Sequence, residues 1–219
     1  MMTGIPTSTE IVSLHDRLLA DAHWPGPAAQ ALQGDVADVW HWVRTNHRYN
    51  CLLWAEEDLA RRKTVSDSEI AANKRAIDGF NQARNDATER VDELLLQALK
   101  LVDPASARTD TPVSLVPPQA RLNSETAGSM IDRLSIMALK VHAMRAQTLR
   151  TDVDEAHRQS SREKLERLQL QRSDLAACLD ALLADAQVGR AYFKVYRQFK
   201  MYNDPRFNPA LVAEAQRPT

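Results

Sequence analysis

Apolar side chains recur every three or four residues along almost the whole chain, which is the spacing of amphipathic helices. Runs of β-branched residues, which favour strands, are missing. The pattern predicts five main helices and a C-terminal helical piece, over residues 8–22, from 28 or 35 to 62, from 67 to 102, from 124 or 125 to 150, 156–186 and 190–202. Long helices joined by short links are typical of an antiparallel bundle. We therefore predict an all-α fold with a polar-lined core region and a C-terminal docking helix.

The second predicted helix carries polar residues on its buried face. Val36, Val39, Trp40 and Val43 define an apolar stripe at about 100° per residue. The same arc continues through a set of mostly polar residues, namely His47, Asn50, Trp54, Glu57, Asp58 and Arg61. The outward positions are Arg48, Glu56 and Lys63. The pattern thus indicates that polar groups of this helix face the core.

The third helix repeats this arrangement, with Asn81, Arg84 and Thr88 inside its apolar stripe. Lys74, Asn85 and Asp92 flank the stripe. A short link between the two helices predicts antiparallel pairing. The resulting register sets Glu57 and Asp58 opposite Lys74, Asn50 opposite Asn81, and His47 opposite Arg84 and Asn85. Polar residues of one helix therefore meet polar residues of the other.

Two further elements extend the predicted polar region. The fourth helix carries polar or small residues along one arc, which are Glu125, Gly128, Asp132, Ser135 and His142. The C-terminal piece interleaves basic and aromatic residues. We expect this piece to bury its aromatic side chains on the bundle and to place Arg197 and Lys200 at the mouth of a pocket.

Buried charges cost several kcal/mol unless they are paired, so the polar face requires partners. One interpretation is a purely structural network, in which Arg84 pairs with Asp132 or Glu125. The other is a pocket for a small anionic ligand, with His47, Glu57 and Asp58 as catalytic candidates. The ligand-binding candidates are Asn50, Trp54, Lys74, Asn81, Arg84, Asn85, Glu125, Asp132, Arg197 and Lys200. The sequence does not decide whether the protein is an enzyme.

A metal site is a narrower alternative. Glu89-x-x-Asp92 places two carboxylates on one helix face, as on one magnesium-binding helix of the all-α nucleotide pyrophosphatases. The matching Glu-x-x-Glu of the preceding helix is not reproduced by residues 56–58, and the Glu-x-x-His pairs of di-iron bundles are missing. A metal-dependent nucleotide hydrolase is therefore the lesser alternative, and we expect neither a bound metal nor a cofactor.

Composition narrows the class of protein further. The 219 residues are 44% hydrophobic and 26% charged, which is typical of a globular domain. We predict one helical-bundle domain over residues 28–209, with a short N-terminal helix and Pro/Gly linker, residues 1–27, packed on it. Lys and Arg number 28 against 29 Asp and Glu, a net charge of −1. This balance argues against nucleic acid or anionic lipid as a partner.

The expected compartment is the cytoplasm. No apolar run approaches the roughly 18–20 residues that span a bilayer, and residues 1–10 lack the features of a signal peptide. Only two cysteines are present, Cys51 and Cys178, and we interpret both as small buried hydrophobic residues. The sequence does not determine the oligomeric state and leaves a homo-oligomer open.

Several motifs resemble an uncharacterised family of bacterial proteins, known only as a domain of unknown function. The resemblance rests on residues 46–58 (NHRYNCLLWAEED), 74–78 (KRAID), 81–86 (NQARND), 123–134 (NSETAGSMIDRL) and 196–205 (YRQFKMYNDP). The family pattern has proline where Ala127 stands. Such proteins are often encoded beside glycosyltransferases of cell-surface glycan synthesis. The resemblance implies a cytoplasmic protein of a sugar pathway and assigns no catalytic residue.

Two functional expectations follow. The first is binding or turnover of a phosphorylated sugar or nucleotide sugar, with basic side chains on the anionic group and carboxylates on the hydroxyls. The second is a non-enzymatic partner of a glycosyltransferase whose polar core is structural.

Overall fold

The computed structural model describes residues 4–199, 201 and 204–216, and over these residues the chain is mainly helical. The helices are α1 (Ser8–Ala20), α2 (Val39–Leu59), α3 (Asp67–Ala98), α4 (Ala127–Thr148), α5 (Glu155–Gln187) and α6 (Pro209–Ala215). Two short strands, β1 (Arg121–Leu122) and β2 (Ala191–Tyr192), pair in parallel. The predicted all-α bundle is confirmed. None of the described helices combines the length and the apolar character needed to cross a membrane.

Side-chain caps set the helix starts. The predicted capping box at α3 is present, because Ser66 accepts from the Glu69 backbone and Glu69 accepts from the Ser66 backbone. The prediction that the second helix starts near residue 28 or 35 is wrong. Asp38 caps α2 by accepting a hydrogen bond from the Trp40 backbone at 3.0 Å. Val36 therefore precedes the helix, and it is exposed rather than buried in the stripe.

Helices α2 and α3 pair antiparallel in the predicted register. Near the middle of the pair, Asn46 Nδ2 donates to Thr88 Oγ1 at 3.0 Å. Towards the connecting turn, the Tyr49 and Phe80 rings lie 6.1 Å apart, and Asn73 Nδ2 donates to Glu56 Oε2 at 2.7 Å. Glu56 thus faces α3, although it was predicted to point outward.

Helix α4 is the central element, because it packs against α1, α2, α3 and α5. It approaches α3 closely at Gly128, where an added Cβ would lie 2.6 Å from Thr88 O and 2.9 Å from Asp92 Cγ. The Gly128 N–H donates to Asp92 Oδ1 at 2.6 Å. The large fully buried apolar residues of the bundle are Ile11, Val43, Leu95, Leu96, Ile131, Leu134, Leu179 and Phe193.

The prediction of a C-terminal docking helix over residues 190–202 is wrong. After β2 the chain is neither helix nor strand through residue 199. Ala191, Phe193 and Val195 are buried, and the residues between them are more exposed. This two-residue alternation over residues 191–195 is that of an extended chain. We call residues 193–199 the C-terminal arm.

Candidate functional site

Seven polar side chains meet where the middles of α2, α3 and α4 converge. Successive turns of each helix supply them, because residues three or four apart share a face. The members are Asn46, His47 and Asn50 of α2, Arg84 and Thr88 of α3, and Asp132 and Ser135 of α4. We call this set the polar cluster. Its inward orientation confirms the predicted polar face as far as Asn50, whereas Trp54, Asp58 and Arg61, which continue the same arc of α2, are exposed.

Asp132 is the centre of the polar cluster. Its Oδ1 accepts from Asn46 Nδ2 at 2.8 Å and from Asn50 Nδ2 at 2.9 Å. Arg84 NH1 lies 3.8 Å from Asp132 Oδ2. Of the two structural pairs expected for Arg84, the one with Asp132 is therefore formed. The carboxylate is satisfied mainly by amide donors rather than by the guanidinium.

His47 is fully buried beside this carboxylate network. Its Nδ1 lies 2.8 Å from Ser135 Oγ, and its ring stacks on His15 and Trp24, with centroids 4.4 Å and 5.8 Å away. Burial lowers the pKa of the His47 imidazole to about 4. The ring is therefore neutral at physiological pH.

This lowered pKa predicts a specific loss of stability in acid. An unfolded histidine binds a proton near pH 6.5 and folded His47 only near pH 4, so stability falls as pH drops between these values. We expect the free energy of unfolding of the wild type, relative to His47→Asn, to decrease by about 3 kcal/mol between pH 7 and pH 4. Urea unfolding of both proteins across this range measures it. A difference that does not change with pH would contradict the neutral buried ring.

Cys51 lies next to His47 but is not a nucleophile in this geometry. Its Sγ accepts from Trp24 Nε1 at 3.3 Å and lies 3.9 Å from His47 Nε2. Burial raises the pKa of the Cys51 thiol to about 11, so it stays protonated. The interpretation as a small buried residue holds for Cys51, whereas Cys178 is exposed.

An open cavity of about 360 Å³ lies against the outer side of the polar cluster. Six of the predicted site residues line it, namely Asn50, Trp54, Glu57, Asp58, Asn81 and Arg84. Arg61, Leu53, Ile136 and Leu139 complete its wall. The sequence pattern thus located the residues of one cavity between α2, α3 and α4.

The cavity is mixed in charge. Glu57 pairs with Arg61 at 3.0 Å along the helix surface, and Asp58 is exposed. Arg84 NH2 donates to Asn85 Oδ1 at 3.0 Å. The predicted residue Asn85 therefore contacts Arg84 but does not itself line the cavity. Trp54 is 37% exposed and lines the cavity.

Three predicted site residues lie elsewhere. Lys74 does not face Glu57 or Asp58, because it is exposed and pairs with Asp78 one turn along its own helix. Glu125 pairs with Arg133. Both of these residues line a separate groove of about 1000 Å³ between α4 and α5. Lys200 lies outside the described residues.

Arg197 is not at the mouth of the cavity. It binds Glu89 at 2.8 Å and the buried Glu93 at 2.5 Å, both on α3. It also donates to the backbone carbonyls of Ala107 and Thr109. Through these contacts, Arg197 anchors the C-terminal arm to α3 and to the loop that follows α3.

The acidic pair Glu89-x-x-Asp92 does not form a ligand set. Glu89 binds Arg197, whereas Asp92 is buried at the start of α4 against the Gly128 N–H. Burial raises the pKa of Asp92 to about 7, opposed by hydrogen bonds from Thr126 and Gly128. In the described part of the chain, no three His, Cys, Asp or Glu side chains are grouped so that they could hold a metal ion.

Sequence reasoning missed Arg48, which was predicted to point outward. It is 2% exposed, and it donates to the carbonyls of Pro25 at 2.9 Å and Pro27 at 2.6 Å. The Pro/Gly linker folds over this face of α2, and nothing in the helix periodicity signals that cover. Asn46 was also missed, although its position one turn before Asn50 could have identified it.

Comparison with known proteins agrees with the motif resemblance. A family model with the description "Protein of unknown function (DUF4254)" matches residues 40–195, which is more than half of the chain and includes the whole polar cluster and cavity. No curated protein and no solved structure matches the chain. The chain therefore belongs to the DUF4254 family of proteins of unknown function.

Proposed function

We propose that the protein binds a small phosphorylated sugar in the cavity between α2, α3 and α4. The observation that carries the proposal is the combination of Arg84, Trp54 and the carboxylates of Glu57 and Asp58 in one cavity. A cation can bind the phosphate, an aromatic ring can pack on the sugar, and carboxylates can accept from its hydroxyl groups.

Arg84 is the candidate for the phosphate group. A guanidinium has five N–H donors and suits the geometry of phosphate oxygens. Arg84 lines the cavity, and its NH1 lies 3.8 Å from Asp132 Oδ2, which is longer than a hydrogen bond. The NH1 group is therefore the donor that we expect to bind an anionic ligand.

The sugar ring would lie between Trp54 and the polar wall. The C–H face of a pyranose packs on an aromatic ring because both are apolar. Glu57, Asp58 and Asn81 line the same cavity, and their oxygens accept hydrogen bonds from hydroxyl groups. Together these contacts would orient the sugar relative to Arg84.

The size of the cavity favours the smaller of the two expected ligands. Its volume of about 360 Å³ is near the lower end of the range of about 300–1,000 Å³ for small-molecule sites. A monosaccharide phosphate suits this volume better than a nucleotide sugar, whose nucleotide would extend beyond the wall.

The geometry supports binding more strongly than turnover. His47 is neutral and fully buried beneath Asn50, so it is poorly placed to exchange protons with a ligand. If a reaction does occur, Glu57 and Asp58 are the groups in the cavity that would act as the base.

The second candidate is a non-enzymatic partner of a glycosyltransferase. It is favoured by the hydrogen bonds among Asn46, Asn50, Asp132 and Ser135, which satisfy these side chains without a ligand. Such a network is sufficient to fix helix register. Under both candidate functions, we expect the protein to be cytoplasmic and to take part in bacterial surface-glycan synthesis.

The decisive variant is Arg84→Ala. Glucose 1-phosphate at 100 times its dissociation constant would stabilise the wild type by about 2.7 kcal/mol, a rise of roughly 5–10 °C in Tm for a protein of this size. We expect Arg84→Ala to abolish that rise, because the phosphate loses its cation. Thermal unfolding with glucose 1-phosphate and UDP-glucose measures the shift.

The matched control is Arg75→Ala, an exposed arginine on the same helix outside the cavity. It should keep the full ligand-induced rise in Tm. An equal rise in Arg84→Ala and the wild type would contradict the proposed site. No rise with either compound, together with co-purification of a glycosyltransferase, would favour the second candidate.

A further inference from the structure

The hydrogen bonds of the polar cluster have a single consistent direction. At neutral pH an ionised carboxylate only accepts, so the Asn50 atom 2.9 Å from Asp132 Oδ1 must be the amide nitrogen. The same nitrogen lies 3.0 Å from Ser135 Oγ and 3.3 Å from Asn46 Oδ1. Both N–H groups of Asn50 therefore point into the bundle.

This direction continues through Ser135 to His47. Because Ser135 Oγ accepts from Asn50, its own hydrogen is free to donate to His47 Nδ1 at 2.8 Å. If it does so, His47 Nδ1 carries a lone pair and the imidazole proton lies on Nε2. The chain of bonds therefore predicts the Nε2-protonated tautomer of the neutral histidine.

The opposite end of the Asn50 amide faces the cavity. Asn50 lines the cavity, and its Oδ1 accepts no hydrogen bond from the described residues, nor is it among their buried unpartnered atoms. A carbonyl oxygen accepts hydrogen bonds but cannot donate one. The floor of the cavity therefore presents a fixed acceptor.

We infer that Asn50 Oδ1 selects a hydroxyl group of the sugar phosphate, and that Ser135 and His47 are positioning residues that hold the amide in this orientation. The inference deepens the proposed function and rests on it. A fixed acceptor has a different effect from a general polar lining, because it distinguishes a hydroxyl group from a hydrogen atom at one ring position of the ligand.

The first measurement does not depend on a ligand. Imidazole ¹⁵N chemical shifts of the wild type at pH 7 distinguish the two neutral tautomers of His47. We expect a single tautomer protonated at Nε2. A proton on Nδ1, or a mixture of tautomers, would reverse the direction of the Ser135 bond and overturn the positioning role.

The second measurement compares glucose 1-phosphate with its 2-, 3-, 4- and 6-deoxy analogues by calorimetric titration. In the wild type, one analogue should bind roughly tenfold more weakly or worse, because the Asn50 acceptor loses its donor. Ser135→Ala should narrow this difference without abolishing it, because the amide nitrogen loses one acceptor while Asp132 Oδ1 still holds it inward. Ser135→Thr, which retains the hydroxyl, should preserve it.

The outcomes separate the two proposals. Equal binding of all the analogues by the wild type overturns the selection by Asn50 while leaving sugar-phosphate binding in place. No binding of glucose 1-phosphate by the wild type overturns the proposed function and the hydroxyl selection with it, whereas the tautomer still decides the positioning role. If the Ser135 variants fail to fold, the wild-type tautomer and analogue profile remain sufficient.

Discussion

Replacing Gly128 with alanine should destabilise the protein by about 3 kcal/mol or more. The added Cβ would stand 2.6 Å from the Thr88 carbonyl oxygen and 2.9 Å from the Asp92 carboxylate. Both obstacles belong to α3 and are buried or backbone atoms, so they cannot rotate away. Helices α3 and α4 would have to separate, which would also weaken the Gly128–Asp92 hydrogen bond. Urea unfolding measures the change.

Gly79→Ala is the matched control, because Gly79 is a helical glycine of α3 with nothing within 4 Å of its added Cβ. Alanine is the better helix former, so this variant should be more stable than the wild type by roughly 0.5–1 kcal/mol. If the two alanine variants were equally stable, the close approach of α3 and α4 at Gly128 would be refuted.

Arg197→Ala should have the second large effect, a loss of about 2–3 kcal/mol. Arg197 neutralises Glu89 and the 2% exposed Glu93, and it donates to two loop carbonyls. Its removal would leave Glu93 with Arg90 as its cationic partner among the described residues. The C-terminal arm would also lose its fastening to α3. Thermal and urea unfolding measure the loss.

The control is Arg206→Ala. Arg206 pairs with Asp204 at 2.7 Å, but its side chain is 82% exposed. Exposed ion pairs contribute about 0–1 kcal/mol, so this variant should unfold almost like the wild type. A comparably small effect of Arg197→Ala would mean that the arm is held by apolar packing of Phe193 and Val195 alone.

The helices could be predicted because each long one must bury an apolar stripe. The Ser66 cap and the register that brings Asn46 near Thr88 follow from spacing along the sequence. The helix predicted over residues 190–202 was wrong because interleaved basic and aromatic residues also fit the spacing of an amphipathic helix. The alternation of Ala191, Phe193 and Val195 was the better signal, since only an extended chain puts all three on one side.

The site was predictable to the extent that helix periodicity determines which way a side chain points. Asn50, Asn81 and Arg84 share the cavity because their helices pair in the expected register. Lys74 was misplaced because an exposed lysine near the end of a hairpin finds its partner on its own helix. The burial of Arg48 depends on the path of an irregular linker, which no periodic pattern determines.

The most direct test of the proposed site is to map glucose 1-phosphate binding by nuclear magnetic resonance. We expect the largest shift changes at the Trp54 indole, the side-chain amides of Asn50 and Asn81, and the guanidinium of Arg84, which line one cavity. Changes centred instead on Lys140, Asp174 and Cys178 in the α4–α5 groove, or no changes at saturating ligand, would contradict the account.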